Sequence, residues 1–194
     1  MIATLKHSDA YVTVEQFKAM PEGRPYFELE NGALVPMPSP TPRHQDVNLV
    51  LAAFLRDHVR TKKLGRIFLC PNVLLPDDKA YIPDIAFLTE AGMSIFDPAS
   101  GWIEGTPQLV VEITSANASR DRIAKFKAYF ENGVNWYWIV DPDTLGVEEY
   151  RQTPDGYVRS AGAMAGEVFA PRAFEGMNLN LADLMGEIVK PDNA

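Results

Sequence analysis

Two carboxylates interrupt runs of residues that are otherwise apolar. Glu112 stands inside the run 109–114, and Asp84 inside the run 81–88. A charge in a low-dielectric interior is costly unless another group compensates it, and two carboxylates in neighbouring strands repel each other unless a cation lies between them. We therefore predict that Asp84 and Glu112 share a site with a lysine or a metal ion, to which the carbonyl of Ile113 could add an oxygen. Mg²⁺ is bound in this way, through one or two carboxylates, waters and substrate phosphates. The alternative for each residue alone is a strand-edge carboxylate that faces water.

A lysine on the helix predicted for about 119–132 is the third candidate. Lys125 lies four residues from both Asp121 and Tyr129, so the three stack along one helix face. At about 100° per residue, Lys125 and Lys127 both border the apolar stripe of this helix, which comprises Ile123, Phe126 and Phe130. The spacing does not choose between the two lysines. Such a lysine could hold an attacking water or stabilise charge on a phosphoryl oxygen; otherwise it lies on a solvated face and pairs with Asp121.

Glu28 and His44 could extend the site. Glu28, in the first predicted hairpin, could act through a water on a metal or bind a second ion, whereas the alternative is an outward-facing strand residue. His44, where the long helix begins, could contact a phosphate or transfer a proton; the alternative is a polar residue of the first helical turn. Cys70, the only cysteine, is predicted to be a small buried hydrophobe rather than a nucleophile.

The elements that position these residues are predicted from spacing, caps and turns. Thr13 and Gln16 fit a capping box for a short helix to about Met20, and Asn-Gly at 31–32 predicts a hairpin. A long helix is expected over about 44–63 because its apolar residues recur at helical spacing. Strands are predicted at about 67–75, 81–88, 108–114 and 135–140, a second hairpin at 146–152 and 157–161, an irregular segment at 90–106 and a short helix near 181–185.

The order of the elements predicts one mixed α/β domain over residues 1–194. Strand, helix and strand over 108–140 form a crossover unit, which implies at least one parallel pair. Apolar residues make up 46% of the 194 residues and charged residues 23%, a globular composition. The net charge of −8 argues against binding nucleic acid through a broad basic surface. A single cysteine and the lack of an apolar run long enough for a membrane span fit a cytoplasmic protein without membrane contact.

The candidate residues and their neighbours resemble the pattern of a known family. The pattern consists of Pro83-Asp84, Glu112 in an apolar strand, Asp121, Lys125, Tyr129, Gly133-Val134 and the run 137–142. It is similar to that of the Uma-two (Uma2) family of endonucleases, which belongs to the PD-(D/E)XK restriction-endonuclease-like superfamily. The N-terminal half agrees, so the resemblance extends from about Val14 to Leu184.

The resemblance implies a central mixed β-sheet flanked by helices, with an N-terminal helix and hairpin added to the restriction-endonuclease-like core. It implies Mg²⁺ as cofactor, which Mn²⁺ can replace, DNA as substrate, and a homodimer. Asp84 and Glu112 would be metal ligands, and Lys125 would be the superfamily lysine, moved from the strand to the next helix. Glu28 matches a further acidic site residue, and His44 a polar one.

Three positions depart from the family pattern, and they bear on substrate and subunit contacts rather than on the core site. They are Ala33, the loop 115–119 and Trp136. The sequence thus predicts a metal-dependent DNA endonuclease. Its rivals are a non-catalytic binding module that keeps the nuclease fold, which the net charge of −8 favours, and a phosphodiesterase for small substrates.

Overall fold

The N-terminal segment follows its local sequence signals. In a computed structural model that describes residues 11–21, 23–114 and 121–188, helix α1 (Val14–Lys18) begins with the expected capping box between Thr13 and Gln16. Strands β1 (Phe27–Glu30) and β2 (Ala33–Pro36) pair antiparallel. The two residues between them, Asn31 and Gly32, both have positive φ, as a type I′ hairpin turn requires. The predicted helix and hairpin are therefore confirmed.

Helix α2 (Pro42–Thr61) begins two residues earlier than the spacing predicts. Thr41 is its N-cap, with a side-chain oxygen that accepts a hydrogen bond from the amide of His44 at 3.1 Å. Pro42 is tolerated in the first turn because the amide hydrogen it lacks has no helical partner there. His44 is consequently the third residue of the helix, and its ring points into the protein, where the residue is buried.

Two strands that were each predicted as one segment are broken, so these two predictions were wrong. The first is divided into β3 (Gly65–Leu69) and β4 (Val73–Leu74), and the second into β5 (Ala80–Tyr81) and β6 (Ile85–Thr89). Each break contains a proline, which cannot donate a hydrogen bond to a strand ladder. At both breaks the chain passes from one β-sheet to another.

The described residues form two mixed sheets. The remaining strands are β7 (Ile103–Glu104), β8 (Leu109–Ile113), β9 (Trp136–Val140), β10 (Val147–Thr153) and β11 (Gly156–Ala163). The smaller sheet has the order β2-β1-β5-β4-β7, and the larger has the order β11-β10-β9-β8-β6-β3. Strands β8 and β9 run parallel, which confirms the predicted parallel pair.

The segment before β9 ends in helix. A π-helical turn over Asp121–Lys125 leads directly into α3 (Phe126–Glu131), and the predicted start of this helix at about Ser119 lies outside the described residues. A 3₁₀ helix (Ala91–Ile95) and strand β7 stand in the segment that was predicted to be irregular, and α4 (Leu181–Leu184) matches the predicted C-terminal helix.

The larger sheet is covered on both faces, which explains why β8 is buried at all five positions. One face packs against α2 and the C-terminal segment through residues that include Leu51, Val111 and Trp138. The other packs against α3 and the smaller sheet through residues that include Val110 and Tyr137. Within the described parts of the chain, no helix has the length and apolar character of a membrane span.

Candidate active site

Glu112 is compensated by a lysine and a tyrosine. Successive side chains of β8 point to opposite faces of the sheet, so Glu112 shares its face with Val110, towards α3. Lys125 Nζ donates to both carboxylate oxygens of Glu112 at 3.0 Å, and the hydroxyl of Tyr129 donates to Oε1 at 2.8 Å. Glu112 and Lys125 are each only 3% exposed. The lysine was one of the two partners that the sequence predicted.

The π-helical turn decides which lysine enters the site. Lys125 closes this turn, and Tyr129 follows one α-helical turn later. Lys127 is instead 74% exposed in its side chain and lies 3.5 Å from Glu131. Ile123, predicted for the apolar stripe, is 71% exposed, because a π turn holds more residues than an α turn and shifts the residues within it from the 100° spacing. The alternative of a solvated Lys125 is wrong, and the side chain of Asp121 is outside the described residues.

Glu28 joins this cluster from the smaller sheet. Its residue is fully buried, its Oε1 lies 3.0 Å from Lys125 Nζ, and the same oxygen accepts a hydrogen bond from the amide of Ile82 at 3.1 Å. The alternative of an outward-facing strand residue is therefore wrong. Lys125 thus links a carboxylate of one sheet to a carboxylate of the other.

Asp84 and His44 form a second group beside Ile113. Strands β6 and β8 pair Ile85 with Val111, so the next step of this antiparallel register brings Asp84 level with Glu112. Asp84 Oδ2 accepts a hydrogen bond from the amide of Ile113 at 2.8 Å. His44 Nε2 lies 3.3 Å from the same oxygen and 3.1 Å from the carbonyl oxygen of Ile113. Since both neighbours of Nε2 are acceptors, this nitrogen carries the proton.

Both groups line one cavity of about 820 Å³, at the junction of the two sheets. All six candidate residues contribute to its wall: Glu28, His44, Asp84, Glu112, Ile113 and Lys125. Three carboxylates and one ammonium group meet at this part of the wall, those of Glu28, Asp84, Glu112 and Lys125. The predicted convergence of two acids and a lysine is thus present in the geometry.

Two wall residues have no role in the sequence prediction. Asn48 follows His44 by one helical turn, is buried, and its Nδ2 lies 3.6 Å from the sulfur of Cys70. Cys70 is exposed rather than buried, a correction that follows from the break after β3. Cys70 as a whole residue is exposed, but its thiol is partly buried. This burial raises the pKa of the thiol, and the charge on Asp84 raises it further. No sequence spacing marks Cys70, but Asn48 could have been found as the polar residue one turn from His44.

Tyr129 is a neutral hydrogen-bond donor in this site. Burial raises the pKa of its phenol well above the usual value, and the charges on Glu112 and Glu28 act in the same direction. A phenol in this state keeps its proton across the physiological pH range. Tyr129 therefore holds one oxygen of Glu112 in place without adding charge to the cavity.

The donor set suits a hard divalent cation. Carboxylate and carbonyl oxygens are the ligands that such ions prefer, and Asp84, Glu112 and Ile113 present these groups at one wall of the cavity. Within the described residues, no group of three or more His, Cys, Asp or Glu side chains has the arrangement of a protein-only metal cage. Mg²⁺ does not require such a cage, because it commonly keeps several waters and takes one or two carboxylates.

Comparisons with known proteins agree with this geometry. The model of the Uma2 family, described as "Putative restriction endonuclease", matches residues 14–182. The fold also matches a crystal structure from Anabaena variabilis, described as "a putative nuclease belonging to DUF820", with a TM-score of 0.70 and 22% sequence identity. That match covers 90% of this chain and 98% of the other, and it confirms the predicted mixed α/β fold. No curated protein matches this chain.

Proposed function

This chain belongs to the Uma2 family, and from that premise we propose that it is a magnesium-dependent endonuclease that hydrolyses phosphodiester bonds of DNA. The observation that carries the proposal is the meeting of Glu112, Lys125 and Asp84 at the wall of one cavity. Few structural purposes require three carboxylates and a lysine at a sheet junction. A nuclease site uses all of them, because carboxylates balance the positive charge of the metal and a lysine balances the negative charge of the phosphodiester.

In this proposal Asp84 and Glu112 hold Mg²⁺, for which Mn²⁺ can substitute, and the carbonyl of Ile113 adds a third oxygen. When bound, the ion supplies a Lewis acid for the phosphoryl oxygen and lowers the pKa of a bound water. The hydrogen bond from the amide of Ile113 fixes Asp84 at 2.8 Å. This contact reduces the cost of ordering the carboxylate, since its orientation is set before any ligand arrives.

Lys125 is the proposed electrophilic residue. Its ammonium group can hold an attacking water or stabilise the charge that develops on a phosphoryl oxygen. Glu28 and Glu112, each 3.0 Å from Lys125 Nζ, orient this group at the cavity wall. Glu28 can also act on the metal through a water. His44 is the proposed substrate contact, and its imidazole Nε2 lies beside the proposed metal ligands, 3.1 Å from the carbonyl oxygen of Ile113 and 3.3 Å from Asp84 Oδ2.

Cleavage of negatively supercoiled plasmid DNA, whose supercoiling favours locally unpaired segments, tests the assignment. Asp84→Asn and Glu112→Gln should each reduce the nicking rate in Mg²⁺ by at least about a hundredfold, the effect of removing one preorganised electrostatic contact. Glu131→Gln is the matched control, because Glu131 pairs with the exposed Lys127 outside the cavity and should leave the rate unchanged. Undiminished nicking by both cavity variants would defeat the proposal.

Two other functions share parts of this site. The net charge of −8 favours a binding module without activity, which predicts no heat on Mg²⁺ titration and no cleavage of any nucleic acid. The cavity volume of about 820 Å³ is in the range of pockets for one small ligand and favours a phosphodiesterase for small substrates, which predicts turnover of a chromogenic phosphodiester without DNA binding. Mg²⁺ titration and turnover of a chromogenic phosphodiester, run beside the DNA-cleavage assay, separate these functions from DNA cleavage.

We also propose that the protein is a homodimer, that residues 1–194 form one domain, and that it acts in the cytoplasm. These proposals rest on the family resemblance and on a sequence with one cysteine. Sedimentation equilibrium tests the dimer, and a single cooperative unfolding transition is expected of one domain. A monomer at all concentrations would contradict the dimer, and two separated unfolding transitions would contradict the single domain.

A further inference from the structure

The cavity is closed at one end by a contact between two of its walls. The rings of Phe17, in α1, and Trp102, before β7, meet edge to face with their centroids 6.1 Å apart. Lys18 Nζ lies 5.1 Å from the centre of the same indole and 2.6 Å from a carboxylate oxygen of Glu104. Phe17, Lys18 and Trp102 all line the cavity. Helix α1 is therefore joined to the opposite wall, so the site is a recess rather than an open groove.

The proposed reacting groups lie at the bottom of this recess. The side chain of Asp84 is 14% exposed, and those of Glu112 and Glu28 are 4% and 0% exposed. A phosphodiester must enter the recess to reach them. A volume of about 820 Å³ falls within the range of pockets that hold one small organic ligand. This volume suits a short stretch of one nucleic acid strand better than a duplex.

The open side of the recess carries a cation and an aromatic ring from one short segment. Arg24 and Tyr26 precede β1, both are exposed, and both line the mouth. Tyr26 is 47% exposed, so the residue is accessible from solvent. Sites for single strands combine these two features, because a cation follows the backbone phosphates and an aromatic ring stacks on an unpaired base. In a duplex the faces of each base are already covered by its neighbours.

We propose that the site takes single-stranded or unpaired DNA, with Arg24 on a backbone phosphate and Tyr26 stacked on the adjacent base. This inference rests on the proposed nuclease function and names its substrate class. Arg24 and Tyr26 are positioning residues, since they lie at the mouth rather than at the carboxylates. They hold the strand so that the next phosphate enters the recess.

Binding tests the strand preference without cleavage. Fluorescence anisotropy would compare one labelled oligonucleotide as a single strand, as a forked duplex and as a blunt duplex, in EDTA and with Ca²⁺ in place of Mg²⁺. The single strand and the fork should bind at least about tenfold more tightly than the blunt duplex, and Tyr26→Ala should remove about tenfold of single-strand affinity, the effect of one stacked base. Arg24→Ala should reduce the slope of log affinity against log salt by about 0.7. Arg56→Ala, on an exposed face of α2, is the control and should behave as the wild type.

Equal affinity for single strand and blunt duplex would overturn the proposal, as would unchanged single-strand binding in both mouth variants. Each such result leaves the nuclease function standing if plasmid nicking depends on Asp84 and Glu112. Conversely, tight and selective binding of the single strand without cleavage in Mg²⁺ or Mn²⁺ would support the strand preference and overturn the nuclease function. The two proposals therefore fail in different experiments.

Discussion

Replacing Lys125 by methionine removes the ammonium group that two buried carboxylates share. Lys125 Nζ lies 3.0 Å from oxygens of both Glu112 and Glu28, and none of the three residues is more than 3% exposed. Methionine keeps the length and the apolar contacts of the lysine stem. The change therefore isolates the loss of charge and of hydrogen bonds, and it leaves two negative groups in a cavity wall without the cation that balances them.

The expected cost follows from this burial. Removing one partner of a buried ion pair destabilises a protein by about 3–5 kcal/mol, whereas a whole domain is stable by only about 5–15 kcal/mol. For a chain of about 150–250 residues, each kcal/mol corresponds to roughly 2–4 °C in Tm, so Lys125→Met should lower Tm by roughly 6–20 °C. The deficit should shrink as the pH falls, because protonation removes the carboxylate charges that the lysine balanced.

Thermal and urea unfolding in EDTA, followed by far-ultraviolet circular dichroism, measure this cost. Lys127→Met is the matched control, because the Lys127 side chain is 74% exposed and a surface substitution should stay within about 0.5 kcal/mol of the wild type. If Lys125→Met does not fold, the double variant Lys125→Met/Glu112→Gln should recover stability, since one stranded charge is gone. A Lys125→Met protein as stable as the control would refute the reasoning.

Other features of the described chain give three further predictions. Asp84→Asn should lower the raised pKa of the Cys70 thiol and speed its alkylation at mildly alkaline pH; an unchanged rate would argue against their proximity. Burial, and then the charge on Lys62, lowers the pKa of His58, so the unfolded chain binds this proton more readily and stability should fall as the pH falls below about 6.5. His58→Gln should flatten that part of a Tm-against-pH curve, and an identical slope would contradict the assignment. Glu149 is fully buried and accepts hydrogen bonds from Trp138, Ser160 and two backbone amides. Glu149→Ala should therefore lower the free energy of unfolding in urea by at least about 3 kcal/mol, because several buried donors lose their acceptor. Glu148→Ala is the control and should cost little.

The sequence singles out two of the cavity residues, Asp84 and Glu112, because charge in an apolar run is conspicuous. Glu112 occupies a strand that is buried throughout, and such a residue must have a partner, whatever the tertiary structure is. The partner predicted there was a lysine or a metal, and the lysine is present at 3.0 Å. Local signals were equally reliable at the Thr13 capping box and at the Asn31-Gly32 turn, since both depend on residues three or fewer positions apart.

The choice between Lys125 and Lys127 could not come from spacing. A helical wheel assumes about 100° per residue, and the π-helical turn over Asp121–Lys125 breaks that assumption. Residues within the turn depart from the helical wheel, so Ile123 faces solvent while Lys125 faces Glu112. π turns are frequent at functional sites, and this one delivers the lysine to the cavity.

The burial of Glu28 also required the tertiary structure. Its strand alternates, and a single hairpin gives no information about which face will be covered. The face is fixed by the smaller sheet, where Leu29 pairs with Ala80 and the chain then leaves for the larger sheet at Pro83. The segment between the two sheets places Ile82 and Asp84 in the cavity wall. The chain can change sheets there because the strand predicted at 81–88 is broken, as is the one predicted at 67–75.

The rate of phosphodiester cleavage as a function of Mg²⁺ concentration tests the central claim most directly, with wild-type protein and Asp84→Asn assayed side by side from excess EDTA to saturation. The proposed nuclease should be inactive in EDTA, be activated by Mg²⁺ along a saturable curve, and lose at least about a hundredfold of that rate in the variant. Cleavage that persists in EDTA, or that is equal in both proteins, would contradict it.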